Sequence, residues 1–240
     1  MRIRGVVFDL DDTLTDHRGL EIEIWAEACA SIVAAHPEVE PDLLTVRHRG
    51  NLERFYEDLL HRRFDLAAFQ RARLTHALEP WGIAPSDELI DTYVRHKKRF
   101  EREVWAGPNA EAALRATRAA GLRIGVLTNG EEAGQRAKLA MLGLATAPDA
   151  FVTSEAAGAP KPSKVPFAAV ASALGLDPGE LAMVGDSVRN DIHGALDAGF
   201  AAAVLVRPLP DGLQELPAGA LVADDAHAAL AALGLTGANV

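Results

Sequence analysis

Four short apolar runs, each giving way to polar or turn residues at its carboxyl end, limit what this chain can fold into. Ile3 to Leu10 carries Asp9 and runs into Asp11-Asp12-Thr13, and Leu122 to Leu127 runs into Thr128-Asn129-Gly130. Leu181 to Val184 leads into Gly185-Asp186-Ser187, and Ala201 to Val206 into Arg207-Pro208. Runs this short, built from Val, Ile, Leu and Ala, read as strands buried on both faces. Between them Asn109 to Ala120, Glu131 to Leu142, Val165 to Leu174 and Arg189 to Ala198 have helical spacing and stop at glycine. Strands alternating with helices make crossover units, and crossover units make a parallel sheet. A further strand is expected at Phe151 to Ser154, a surface connection at Pro208 to Pro217 and a closing helix at Asp225 to Leu233.

Residues 17 to 103 break this rhythm. They hold no strand-like run and carry amphipathic stretches at 18–35, 42–62, 66–79 and 86–103. The expected fold class is therefore α/β: a Rossmann-like parallel-sheet core domain of residues 1–16 and 104–240, with an inserted all-helical cap domain of residues 17–103. The insertion leaves just after the acidic turn and returns before the next crossover unit. It is expected over the carboxyl ends of the strands, where open α/β sheets bind their ligands.

At 240 residues the chain can bury a proper core, and a formal charge of −10 argues against a nucleic-acid partner, which is held through clustered Lys and Arg. No stretch approaches the roughly 20 apolar residues of a membrane span. Cys29 is the single cysteine, so no intramolecular disulfide and no multi-cysteine zinc site can form. With an amino terminus whose apolar run is too short for a signal peptide, these features predict a cytoplasmic protein. An acidic body that handles an anion needs a cation to do so.

The polar residues at the strand ends supply the chemistry. Asp9 and Asp11 are two apart, so in extended backbone both side chains face one cavity. Carboxylates so close repel one another and call for a divalent cation. Mg²⁺ takes oxygen ligands, is held by one or two carboxylates plus substrate phosphate, and fits Asp9, Asp11 and Asp186, with Asp191 orienting waters or a lysine. With phosphoryl oxygens held by the metal and by Lys161, the Asp9 carboxylate can attack phosphorus in line. Asp11 can then act as acid and base. Thr128 Oγ and the backbone N–H of Asn129 stand where a helix begins, suited to phosphate oxygens.

The motifs Phe-Asp-Leu-Asp-Asp-Thr-Leu at 8–14, Leu-Thr-Asn-Gly at 127–130, Gly-Ala-Pro-Lys-Pro-Ser at 158–163 and Gly-Asp-Ser-Val-Arg-Asn-Asp at 185–191 occur in this order. Together they resemble the haloacid dehalogenase-like hydrolase superfamily, in its phosphatase branch with a helical cap. The resemblance implies Asp9 as nucleophile, Asp11 as acid/base with its backbone carbonyl on Mg²⁺, Thr128 as phosphate ligand, Lys161 as charge neutraliser and Asp186 as second carboxylate on the metal. Dehalogenases and phosphonate hydrolases of the superfamily typically lack an aspartate at the position of Asp11, which leaves phosphoryl transfer. Two departures are Asp12, where many members have Gly, and Ser163, where many have Asp.

The expected function is thus Mg²⁺-dependent hydrolysis of a small-metabolite phosphate monoester, a sugar phosphate or nucleotide, with no nucleic-acid or membrane partner, by a monomer or homodimer. The alternatives are a phosphomutase of the same fold and a regulatory or binding protein with a vestigial site. The cap arginines, Arg47, Arg49, Arg54, Arg62, Arg63, Arg71, Arg73, Arg95 and Arg99, read mostly as solvated helix faces. Trp25, Trp81 and Trp105 read as packing between cap and core, and His17 as a hinge residue.

Overall fold

A computed structural model describes residues 2–51, 66–206 and 216–235. These divide into two compact units, Met1–Arg18 with Val104–Val240, and Gly19–Glu103. In chain order the elements are β1 (Gly5–Phe8), α1 (His17–Ala35), α2 (Pro41–Gly50), α3 (Leu66–Leu78), α4 (Asp87–Lys97), α5 (Ala110–Ala119), β2 (Arg123–Thr128), α6 (Glu132–Met141), β3 (Ala150–Thr153), α7 (Lys164–Leu174), β4 (Leu181–Gly185), β5 (Ala202–Val206), β6 (Ala220–Ala223) and α8 (Ala226–Ala232).

The strands form one parallel sheet in the order β3-β2-β1-β4-β5-β6. Gly5–Phe8 and Leu181–Gly185 are buried along their whole length, as strands covered on both faces must be. Successive side chains go to opposite faces. Val6, Phe8, Ile124, Val126 and Val184 pack on one side with Leu114 of α5, Leu139 of α6 and Leu230 of α8. Val7, Leu127, Met183 and Leu205 pack on the other with Phe167 and Val170 of α7 and with Ile192.

The sheet order also locates the site. From β1 the chain steps outward through β2 and β3, then returns to β1's other side for β4, β5 and β6, so the order reverses at β1. Ligands of open α/β sheets bind outside the carboxyl ends at such a switch point. Phe8 pairs with Val126 and with Val184, so the next residue of each segment, Asp9, Leu127 and Gly185, stands level with the other two.

Where the chain leaves and re-enters this unit, Thr15 bridges Ala106 in antiparallel fashion and Gly107 N donates to Leu14 O at 2.9 Å. A Cβ at Gly107 would sit 2.7 Å from Thr13 O, so only glycine lets the two segments close.

The Gly19–Glu103 unit is helical throughout its regular structure among the described residues and has its own core of Trp25, Ile32, Leu44, Leu74, Leu78, Ile90 and Tyr93. Trp25 stacks on His48 with ring centroids 3.7 Å apart, so it packs inside this unit. Trp81 packs against the same core, while Trp105 is partly exposed on the other unit. No helix among the described residues is long and apolar enough to cross a membrane.

Several expectations need correction. The stretch Arg189 to Ala198 is not one α-helix: Val188–His193 forms a turn of π-helix that runs into Gly194–Asp197. β6 was not anticipated, because its four residues are half exposed at the sheet edge and lack the buried apolar signature. Arg73 is buried, not solvated. Its guanidinium donates to His48 O at 3.0 Å and Asn51 Oδ1 at 3.1 Å. Arg54, Arg62, Arg63, the end of the 42–62 stretch and most of the Pro208 to Pro217 connection lie outside the described residues.

Candidate active site

Asp9 follows β1 directly, and its N–H donates to Val184 O at 2.9 Å, so it is still held by the sheet. Its side chain is buried with Lys161, whose Nζ donates to Asp9 Oδ1 at 2.6 Å, Asp191 Oδ1 at 2.6 Å and Leu127 O at 3.0 Å. An ammonium has three protons, and all three are taken up by protein oxygens. Burial opposes the charge on Lys161, but Asp191 and Asp9 outweigh it and hold the ammonium protonated.

The backbone of Lys161 is fixed in turn by Asn129. Its Oδ1 accepts from Lys161 N at 2.8 Å and its Nδ2 donates to Lys161 O at 3.2 Å. The side chain of Asn129 thus serves as a strut between the loop after β2 and the loop before α7. Ser163, the departure noted after Lys-Pro, accepts from Val165 N and caps α7, so a helix start explains it. Pro166 sits in that first turn, where its missing N–H costs no helical bond.

Asp186 precedes the π-helical turn after β4, and Asp191 lies within it. Asp191 Oδ2 accepts from Ser187 N at 3.0 Å while Oδ1 takes Lys161. Gly185 leaves room for this: a Cβ there would overlap the Asp191 carboxylate carbon. Asp9, Asp186 and Asp191 each offer a carboxylate oxygen, all within 4.8 Å of one another. Burial pushes the Asp9 carboxyl well above the usual range. Lys161 pulls it down, and Asp191 and Asp186 push it up again. Three carboxylates facing one lysine leave surplus negative charge, and an all-oxygen donor set suits a hard divalent cation such as Mg²⁺. The group contains neither His nor Cys, the ligands that zinc sites favour.

Asp11 is turned elsewhere. Lys138 Nζ of α6 donates to both of its oxygens at 2.7 Å, Gln135 Nε2 to Oδ2 at 3.1 Å and Thr15 Oγ1 to Oδ1 at 3.4 Å. Burial works to raise the Asp11 carboxyl, but Lys138 and then His17 outweigh it and hold it below the usual carboxylate range. Thr128, at the end of β2, accepts from Gln135 Nε2 at 2.9 Å through Oγ1. The turn between Asp9 and Thr13 has Asp12 at φ +64°, the left-handed region in which Gly is the easy choice and Asp among the tolerated ones. Asp12 Oδ1 accepts from Arg18 N at 2.6 Å, a bond that Gly could not make.

Asp9, Lys161, Asp186 and Asp191 therefore come together in one cluster, and Thr128, Asn129 and Asp11 line its α6 side. Sequence reasoning missed Gln135 and Lys138. Their spacing of three on a predicted helix put them on one face, but a polar helix face reads as solvated unless something shows what it meets.

A haloacid dehalogenase-like hydrolase family model matches residues 3–199. The chain is 36% identical over 143 residues to phosphoserine phosphatase of Thermus thermophilus, covering 59% of this chain and 56% of that one. It is 29% identical over 201 residues to glyceraldehyde 3-phosphate phosphatase of Methanopyrus kandleri, covering 82% of each. The HAD-hydrolase YfnB of Bacillus subtilis, in a magnesium-bound crystal form, superposes with a TM-score of 0.72 at 18% identity, over 97% of this chain and 99% of that one. At that identity the likeness speaks for the fold. The family match covers the whole set of strand-end residues in the order that the sheet requires, and this chain belongs to the haloacid dehalogenase-like hydrolases and is an enzyme of that family.

Proposed function

We propose that this chain is a Mg²⁺-dependent phosphohydrolase that cleaves the phosphate monoester of a small metabolite, a sugar phosphate or nucleotide, through an aspartyl-phosphate formed on Asp9. Its catalytic core would be residues 1–16 and 104–240, with residues 17–103 as a separate helical domain. The observation that carries this reading is the Asp9 carboxylate, buried at the sheet's switch point 2.6 Å from Lys161 Nζ and grouped with Asp186 and Asp191. A buried carboxylate of this kind is useless as a surface charge and costly as a structural one. It is well suited to attack an electrophile brought to it. The two relatives compared above are both phosphatases of small phosphorylated compounds, and magnesium is bound in the YfnB structure; both facts support the reading.

In the first step the Asp9 oxygen bonds phosphorus as the ester P–O bond breaks, and Asp11 gives its proton to the leaving oxygen. In the second, a water oxygen bonds phosphorus, the Asp9–phosphorus bond breaks and the water's proton returns to Asp11. General acid/base help of this type is worth about 10²–10⁴-fold. Asp9 and Asp186 would hold Mg²⁺, together with the backbone carbonyl of Asp11, and Asp191 would act behind them by orienting Lys161. The cation, when bound, supplies charge to neutralise phosphoryl oxygens in flight. Thr128 Oγ and the Asn129 N–H would receive the remaining oxygens. A phosphate dianion arriving beside Asp11 pushes its carboxyl back up, because like charge disfavours ionisation. The single, buried Cys29 supports a reducing, cytoplasmic setting.

The test is phosphate release from a panel of monoesters in Mg²⁺ and in EDTA, with Asp9→Asn alongside. Metal-dependent release that Asp9→Asn abolishes is expected. Release from a folded Asp9→Asn protein would sink the covalent route, and an isomeric phosphate ester in place of free phosphate would make the enzyme a mutase.

A further inference from the structure

Two side chains on one face of α6 reach into the site with no role yet assigned. Lys138 Nζ lies 2.7 Å from both oxygens of Asp11. Gln135, one helical turn earlier and only 4% exposed, directs its Nε2 at Asp11 Oδ2 (3.1 Å), Thr128 Oγ1 (2.9 Å) and Asn129 O (2.8 Å). Gly130 makes room for it, since a Cβ at that residue would come within 2.9 Å of Gln135 Nε2.

The donor and acceptor rules give this arrangement direction. An amide nitrogen can only donate, so at 2.9 Å Thr128 Oγ1 is an acceptor from Gln135, which shares its two protons among Thr128 Oγ1, Asn129 O and Asp11 Oδ2. That hydroxyl's own proton is then left to point away from Gln135. Its only protein acceptor among the described bonds is Asn129 O at 3.5 Å, the limit of a hydrogen bond. Gln135 thereby presents Thr128 as a donor, the role a phosphate oxygen requires. The same amide ties Thr128 to Asp11, so the phosphate ligand and the acid/base share one strut. Lys138 adds a grip on both oxygens of the Asp11 carboxylate from a single ammonium.

We infer that Gln135 and Lys138 are positioning residues for this enzyme: Lys138 orients the Asp11 carboxylate for proton transfer to the leaving oxygen, and Gln135 locks Asp11 to the Thr128 hydroxyl. This rests on the reading of Asp11 as acid/base and Thr128 as phosphate ligand. Their recorded contacts are with Asp11, Thr128 and Asn129, and no step of the reaction uses their own protons. Both act through the residues they hold, and a shift of about 1 Å in such a group is enough to cost on the order of 10²-fold in rate.

The experiment compares kcat/KM for phenyl phosphate, whose leaving group needs a proton, with 2,4-dinitrophenyl phosphate, whose leaving group does not. Lys138→Met should lower the first at least about tenfold more than the second, because only the first draws on general acid help. Lys138→Arg, which can grip both carboxylate oxygens, should restore most of the loss. In an Asp11→Asn background Lys138→Met should change neither ratio further, since the two would act as one unit. Gln135→Met should raise KM for both substrates as well as widening the contrast between them. An equal loss on both substrates, or an undiminished effect in the Asp11→Asn background, would make Lys138 a structural residue and overturn the inference. If the wild-type protein hydrolyses neither these esters nor any monoester of the panel in Mg²⁺, the phosphatase reading itself falls and this inference with it.

Discussion

Lys161 Nζ and Asp9 Oδ1 lie 2.6 Å apart at the carboxyl end of β1, both with side chains under a tenth exposed, and the same ammonium holds Asp191 Oδ1 at 2.6 Å. One cation thus balances two buried carboxylates that would otherwise repel. Removing one member of such a group leaves uncompensated charge in the interior, which is worth about 3–5 kcal/mol. Lys161→Met should lower the unfolding free energy by about that much in metal-free urea titrations, and should abolish turnover. A stable Lys161→Met protein would mean that the carboxylates do not depend on the lysine. Lys161→Arg should not rescue it, because the guanidinium fork cannot place three donors where the ammonium does.

Gly185 offers a second test. A methyl at that position would overlap Asp191, whose Cβ would lie 2.6 Å from it, and the backbone is fixed by pairing with Leu205. Gly185→Ala should cost about 1–3 kcal/mol, as overpacking of a tight core does. It should also weaken Mg²⁺ binding measured by calorimetry, because Asp191 moves together with Lys161 and Asp9. Wild-type Mg²⁺ affinity in Gly185→Ala would separate Asp191 from the metal group.

The strand-end residues were legible because their chemistry and their order are written along one dimension. Asp9, Thr128, Lys161 and Asp186 each follow an apolar run or sit in a loop motif, and a parallel sheet gathers such positions at one edge whatever the details of packing. Gln135, Lys138 and Arg73 were not legible, since what a polar helical residue meets depends on the placement of the helix in three dimensions. Asp12 and Ser163 looked like departures until backbone angles and a capping bond gave each a local reason. The π-helical turn at Val188–His193 has no periodic signature at all, yet it carries Asp191 into contact with Lys161.

Asp149 sets a pH dependence away from the site. Burial raises its carboxyl, but the Ile124 N–H at 2.8 Å and Arg118 at 2.9 and 3.0 Å outweigh burial and hold it below the usual carboxylate range. A carboxyl whose folded value is depressed binds its proton more readily when unfolded. Its contribution is fully present above the unfolded value of about 4 and is lost as pH falls through the lower folded value. Asp149→Asn should therefore destabilise the protein at pH 7 and flatten the acid limb of the stability curve below about pH 4. An unchanged acid limb in Asp149→Asn would place the acid sensitivity elsewhere.

In the helical unit Tyr93 sits in a directional chain of hydrogen bonds. Its hydroxyl donates to Gln70 Oε1 at 2.8 Å, so at 2.6 Å His48 Nε2 must be the donor to Tyr93. That leaves His48 Nδ1 as the acceptor that faces Arg73. Burial pushes the Tyr93 phenol far above its ordinary value, so it remains a donor throughout the usable pH range. Tyr93→Phe keeps the ring and its edge contact with Trp25 but takes away the hydroxyl that the Gln70 carbonyl accepts from and that His48 Nε2 bonds in a buried setting. Each buried group left without a partner costs about 1–3 kcal/mol. Tyr93→Phe should thus lower stability by at least about 1 kcal/mol in urea, and adding Gln70→Leu should cost less than the two changes measured separately, because the second removes a group the first had already orphaned. Additive losses would show that Gln70 finds another donor once the phenol is gone.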